Sequence, residues 1–146
     1  MKNMGFAEAA ANWVPAGISL DSITARARLT GPGLRTFFNI ADDWGLTTDQ
    51  QRILLGGISK SSLHNWKSGH AAALSRDQLE RVSLVLGIYK GMALLFADGD
   101  GGKRWLKSEN SEGVFGGLSP LARMLRGGIE DLYVTRRYMD AWRGVR

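Results

Sequence analysis

The sequence predicts an all-α protein, and three observations carry that prediction. Apolar residues recur at the three- and four-residue spacing of helices, capping side chains stand at the heads of several of these runs, and no run alternates as a strand would. Glycine pairs at 56 and 57, 101 and 102, 116 and 117, and 127 and 128 punctuate the pattern.

Residues 1–30 show little periodicity and read as an N-terminal arm with room for one short helix. From Leu34 the pattern changes: Leu34, Phe37, Phe38, Ala41 and Trp44 form the stripe of an amphipathic helix, which Gly45 can end. Thr47 and Gln50 make a capping-box pair, opening a short helix through Ile53, Leu54 and Leu55 that stops at Gly56 and Gly57. Ser59 then caps a third helix, with Ile58 spaced to staple against Leu63, and Leu63 and Trp66 directed inward. Ser75 and Gln78 form a second capping box that launches a long helix over residues 76–97. That helix is apolar on two sides, so it must be buried on several faces and serves as a spine. The glycine-rich run after Ala97 reads as a loop and a boundary. Ser119 as cap, Pro120 at the first helical position and Gly127 beyond the end define a two-turn helix. A last helix runs from Ile129 to about Arg143, with Glu130 and Asp131 in its first turn, matching the helix dipole. The expected organisation is an arm over 1–30, a helix-turn-helix unit over 31–75, a connecting helix over 76–97 and a small C-terminal domain over 98–146.

The composition bounds the function. With 146 residues, 44% hydrophobic and 23% charged, the chain holds one compact domain or two small ones sharing a core. There is no cysteine, which removes disulfides, thiolate metal sites and cysteine nucleophiles, and suits the cytoplasm. Nineteen Lys and Arg against 14 Asp and Glu give a net charge of +5 and a pI near 9.9, favouring an acidic or polyanionic partner. No apolar run is long enough for a membrane span, and the start of the chain lacks the pattern of a secretion signal.

Two stretches stand out as binding surfaces. The third helix has no acidic residue from Ser59 through Arg76, and Ser59, Lys60, Ser61, Ser62, His64, Asn65 and Lys67 are donors or cations suited to phosphates and base edges. Asn65 could pair bidentately with adenine, while Lys60 and Lys67 could hold phosphates or guanine. In the last helix, Arg136, Arg137, Arg143 and Arg146 interleave with Tyr138 and Trp142, the composition enriched at protein-interface hot spots. The competing reading buries both apolar faces of that helix within the chain. Catalytic and metal readings fare worse. His64 and His70 are the only histidines, too few for a four-ligand zinc site without cysteine, and no G-x-S-x-G elbow exists. Asp98, Asp100 and Glu109 fall at calcium-loop positions, but Gly102 and Lys103 stand where an acid and the turn glycine are needed. The "GGK" run lacks the spacing and following hydroxyl of a phosphate loop. No catalytic residue, metal or cofactor is expected.

From about residue 34 onward the sequence resembles the Xre/MbcA/ParS antitoxins. "LLGGISKSSLHNWKSG" resembles their helix-turn-helix core, "LSRDQLERVSLVLGIYKGMALLF" their connecting helix, and "FGGLSPLARMLRGGIEDLYVTRRYMDAWRG" their toxin-binding signature. Gly117, Ser119, Pro120, Gly128, Tyr138 and Asp140 fall where that signature would place its turns, cap and terminal helix. Residues 1–30 show no such likeness, and the loop from Asp98 to Gly102 is richer in glycine than the pattern. The resemblance implies a cytoplasmic antitoxin without enzyme activity, whose partner is a RES-type toxin that consumes NAD. Arg136, Arg137, Tyr138, Trp142, Arg143 and Arg146 would contact the toxin and close its NAD cleft, the antitoxin itself binding no NAD. Operator DNA would be the second partner, bound by a homodimer with paired recognition helices about 34 Å apart. The alternatives are a helix-turn-helix transcription regulator whose C-terminal domain serves dimerisation, and an interaction module that never meets DNA.

Overall fold

The computed structural model describes residues 20–144, and among these the chain forms seven helices and no strand. In order they are α1 (Ile23–Trp44), α2 (Thr48–Leu54), α3 (Lys60–Lys67), α4 (Arg76–Leu95), α5 (Gly99–Lys107), α6 (Pro120–Met124) and α7 (Ile129–Trp142). The cap chemistry read from the sequence sets most boundaries. Thr47 and Gln50, and again Ser75 and Gln78, exchange both bonds of a capping box. The Ser59 hydroxyl accepts from Ser62 N at 3.0 Å, and the Ser119 hydroxyl from Ala122 N at 3.0 Å. Each such cap is worth about 1 kcal/mol, enough to fix the ends of short helices. Gly45 ends α1 at φ 69°, donating its N–H to the Ala41 and Asp42 carbonyls. Gly56 and Gly57, at φ 99° and 83°, make the turn between α2 and α3, where a side chain would be strained.

α4 is the spine. It packs on α1 along one flank and on α7 along the other, burying Leu79, Val82, Leu84, Val85, Leu86, Ile88 and Met92. From α1 come Leu34, Phe37, Ile40 and Trp44, from the helix-turn-helix Leu54, Leu55 and Leu63, and from the C-terminal helices Leu106, Met124, Leu132 and Met139, all in one continuous core. The contact with α7 is close because α4 offers glycines there. A Cβ on Gly91 would lie 2.4 Å from the Met139 Cγ, and one on Gly87 would collide with the Arg136 guanidinium.

Three expectations are corrected. The first helix begins at Ile23, eleven residues before Leu34, and takes in the last eight residues of what read as the arm. Gly31, Pro32 and Gly33 lie within this helix: Pro32 is exposed, and tertiary contacts hold the segment before it. The Arg26 guanidinium donates to the carbonyls of Leu20, Asp21 and Leu74, and the Thr30 hydroxyl accepts from Leu74 N. The run after Ala97 is likewise a helix, not a loop. Asp98 caps α5 through Gly101 N, and Gly102 is buried where a Cβ would press on Met92 and Phe96. Its glycine serves close helix packing. α4 itself ends at Leu95, two residues short of the expected limit.

Candidate DNA-binding and partner-binding surfaces

α3 is held from beneath by Leu63, which is fully buried, and by Trp66, which is half-buried against the core. Lys60, Ser61, His64, Asn65 and Lys67 are exposed, Ser62 is half-buried, and Ser59 is occupied in capping, its hydroxyl also bonded to those of Ser61 and Ser62. Helical spacing sorts these residues into two rows. Ser61, Asn65 and Ser68 point directly away from the core, while Lys60, His64 and Lys67 line one edge. Lys67 leans from that edge toward α1, its ammonium 5.6 Å above the Phe38 ring, and Arg35 of α1 lines the same groove. No carboxylate pairs with Lys60, Lys67 or Arg35 among the described residues. The sequence reading missed Arg35, although α1 carries no acid before Asp42.

At the other end, the residues expected to share one partner face are divided. Tyr138 is half-buried inside an aromatic cluster, stacked on Trp105 at 6.3 Å and edge-on to Phe115 at 5.0 Å. Burial pushes its phenol up, with the charge of Glu112 adding to the effect. Trp142 joins the cluster against Phe96 and Trp105 but remains 48% exposed, so the cluster has a solvent margin. Arg136 and Arg143 lie on α4 and share the Asp140 carboxylate, at 3.2 and 3.6 Å. Arg137 is exposed on a different side, 5.9 Å from the Tyr133 ring, whose hydroxyl donates to Glu80 at 3.0 Å. That hydrogen bond, then burial, raises the Tyr133 phenol. Arg146 lies outside the described residues. The aromatic half and the cationic half of the expected surface therefore diverge around α7. Phe96, Trp105 and Phe115 escaped the sequence reading because they come from separate elements that only folding brings together.

α6 and α7 are fixed to each other by Asp131, which is almost wholly buried. Its carboxylate accepts from Arg123 Nε at 2.7 Å and from Gly128 N at 3.1 Å. The turn that sets the direction of α7 is thus held by a charge-assisted pair.

Residues 24–87 match the family model of the antitoxin Xre-like helix-turn-helix domain. The uncharacterized protein y4oB of Sinorhizobium fredii (strain NBRC 101917 / NGR234) is 39% identical over 111 residues, covering 76% of this chain and 84% of that protein. The chain thus carries an antitoxin Xre-like helix-turn-helix domain and is a relative of y4oB. The matched segment begins one residue into α1, so all of that helix but Ile23 belongs to the helix-turn-helix domain, along with α2, α3 and α4 as far as Gly87. α5, α6 and α7 lie beyond it. No solved structure matches the chain. No helix among the described residues is long and apolar enough to cross a membrane.

Proposed function

We propose that this protein is an antitoxin, which neutralises a RES-type, NAD-consuming toxin by covering its active-site cleft and represses its own operon through α3. The observation that carries the DNA half is the exposed, acid-free face of α3 set within the family's helix-turn-helix. Ser61 and Asn65 would meet base edges, and Lys60 and Lys67 would release counterions from phosphates. The toxin half is supported by the solvent margin of the ring cluster, where Trp142 offers a large apolar anchor, and by the resemblance of residues 115–144 to a toxin-binding signature. Antitoxins of this kind act by stoichiometric binding, so no catalytic group is assigned. A homodimer would present two copies of α3 to a two-fold operator.

The test is co-purification of the tagged antitoxin with the product of the adjacent reading frame, followed by NAD turnover by that product alone and in complex. Binding through residues 100–146, with NAD consumed only on release, is the expected result. A protein that captures no neighbour but protects a palindromic site would instead be a regulator whose exposed Leu94 and Trp142 serve dimerisation.

A further inference from the structure

We propose that the groove between α1 and α3 is a second backbone-binding track, in which Arg35 and Lys67 hold phosphates of the DNA strand flanking α3. This rests on the DNA-binding reading above. The groove is open, with a volume of about 510 Å³, and Arg35, Phe38, Asn39, Trp66, Lys67 and Ser68 are among its twelve lining residues. Two of the twelve are cations and none is an acid. Acids are absent from Ser22 to Ala41 and from Ser59 to Arg76, so both walls are free of negative charge along their length.

The position of each cation has a cause. Arg35 folds back along α1 over Gly31, where an added Cβ would lie 3.3 Å from its Nη1, so the glycine leaves space for the guanidinium beside the groove. Lys67 rests over Phe38 at 5.6 Å, a contact that directs its ammonium toward α1 and away from the outermost row of α3. Neither has a carboxylate partner among the described residues. Two unneutralised cations on facing walls call for a polyanion. DNA is favoured over an acidic peptide because Lys67 shares the Lys60 edge of α3: a duplex that receives this helix must run its backbone along that edge.

The experiment is fluorescence anisotropy across a potassium chloride series with two labelled duplexes of equal length. One carries the sequence directly upstream of the antitoxin's own reading frame and the other a mixed sequence. Arg35→Ala and Lys67→Ala should each weaken both duplexes alike, several-fold, and lower the log–log salt slope by about one. Asn65→Ala should weaken the upstream duplex selectively. Arg35→Lys should restore the slope, which separates charge from folding, and circular dichroism of Arg35→Ala should match the parent because the side chain is exposed. Wild-type affinity and slope in Arg35→Ala, with Asn65→Ala impaired, would overturn the track and leave DNA binding by α3 intact. The same holds if Arg35→Glu still binds DNA but loses polyglutamate, which would put an acidic protein in the groove. Failure of the parent to bind either duplex removes the DNA reading and the track together.

Discussion

Single residues govern how closely the helices of this fold approach one another. Gly91 sits where α4 meets α7, and a methyl group there would lie 2.4 Å from the Met139 Cγ and 3.1 Å from its sulfur. Alanine is the better helix former by about 1 kcal/mol, but overpacking a tight contact costs about 1–3 kcal/mol. Gly91→Ala should therefore destabilise the chain in urea unfolding, whereas Gly99→Ala, with open space at its Cβ, should be neutral or mildly stabilising. A second residue-scale device is the buried Asp43 carboxylate, which takes Lys103 Nζ at 3.2 Å and a hydrogen bond from Tyr89, joining α1, α4 and α5. Burial, then the charge of Asp43, raises the Tyr89 phenol well above its ordinary range. An unfolded tyrosine titrates near 10, so above about pH 10 the folded chain holds more protons than the unfolded one. Stability from this group is full below about pH 10 and falls as pH rises beyond it. Tyr89→Phe should flatten that alkaline fall in a pH series of melts without abolishing it, since Tyr133 and Tyr138 are raised as well.

Elements decide which surfaces can be tested in isolation. α3 owes its position to Leu63 and Trp66 and carries its polar rows on the far side, so truncating Lys60 should leave the fold alone. Lys60→Ala is expected to lower the salt slope of DNA binding by about one with an unchanged melting temperature. α7 behaves differently. Tyr138 contributes to the chain's own ring cluster, where each favourable pair adds about 0.5–1.5 kcal/mol beyond its burial. Tyr138→Ala should then lose stability as well as affinity for the proposed toxin partner. Trp142, half in solvent, is the cleaner probe: Trp142→Ala should weaken binding of the proposed toxin partner by about 2 kcal/mol or more in calorimetry, with a much smaller change in melting temperature.

At the scale of the whole molecule, one helix serves two units. α4 closes the core of the helix-turn-helix and at the same time seats α7 across Gly87 and Gly91. Ending the chain at Ala97 would expose the flank of α4 that buries Leu132 and Met139, together with the Asp43 carboxylate that Lys103 now covers. Such a truncation should give a poorly folded helix-turn-helix, read as lost near-ultraviolet dichroism and weak amide protection, while the full chain unfolds in one cooperative transition. Independent folding of residues 1–97 would refute the shared core. Among the described residues, the helix-turn-helix, the connecting helix and the C-terminal helices thus share one packed core.

Local chemistry was legible in the sequence. The capping boxes at Thr47 and Ser75, the Ser59 and Ser119 caps, the glycine turn before α3 and the two-sided apolar pattern of α4 each depend on residues within a few positions of one another, and spacing alone reveals them. The acid-free face of α3 was visible for the same reason. Tertiary structure decided where a local signal competes with a distant partner. Residues 23–30 read as part of the arm, and Arg26 and Thr30 bonding to Leu74 tie them to the core as the start of α1; the glycines after Asp98 read as a loop, and packing against Met92 and Phe96 makes them a helix. The groove that pairs Arg35 with Lys67, and the ring cluster that draws Tyr138 inward, join residues far apart in sequence. No periodicity encodes such meetings, because they are fixed by how helices cross and not by how any one of them is built.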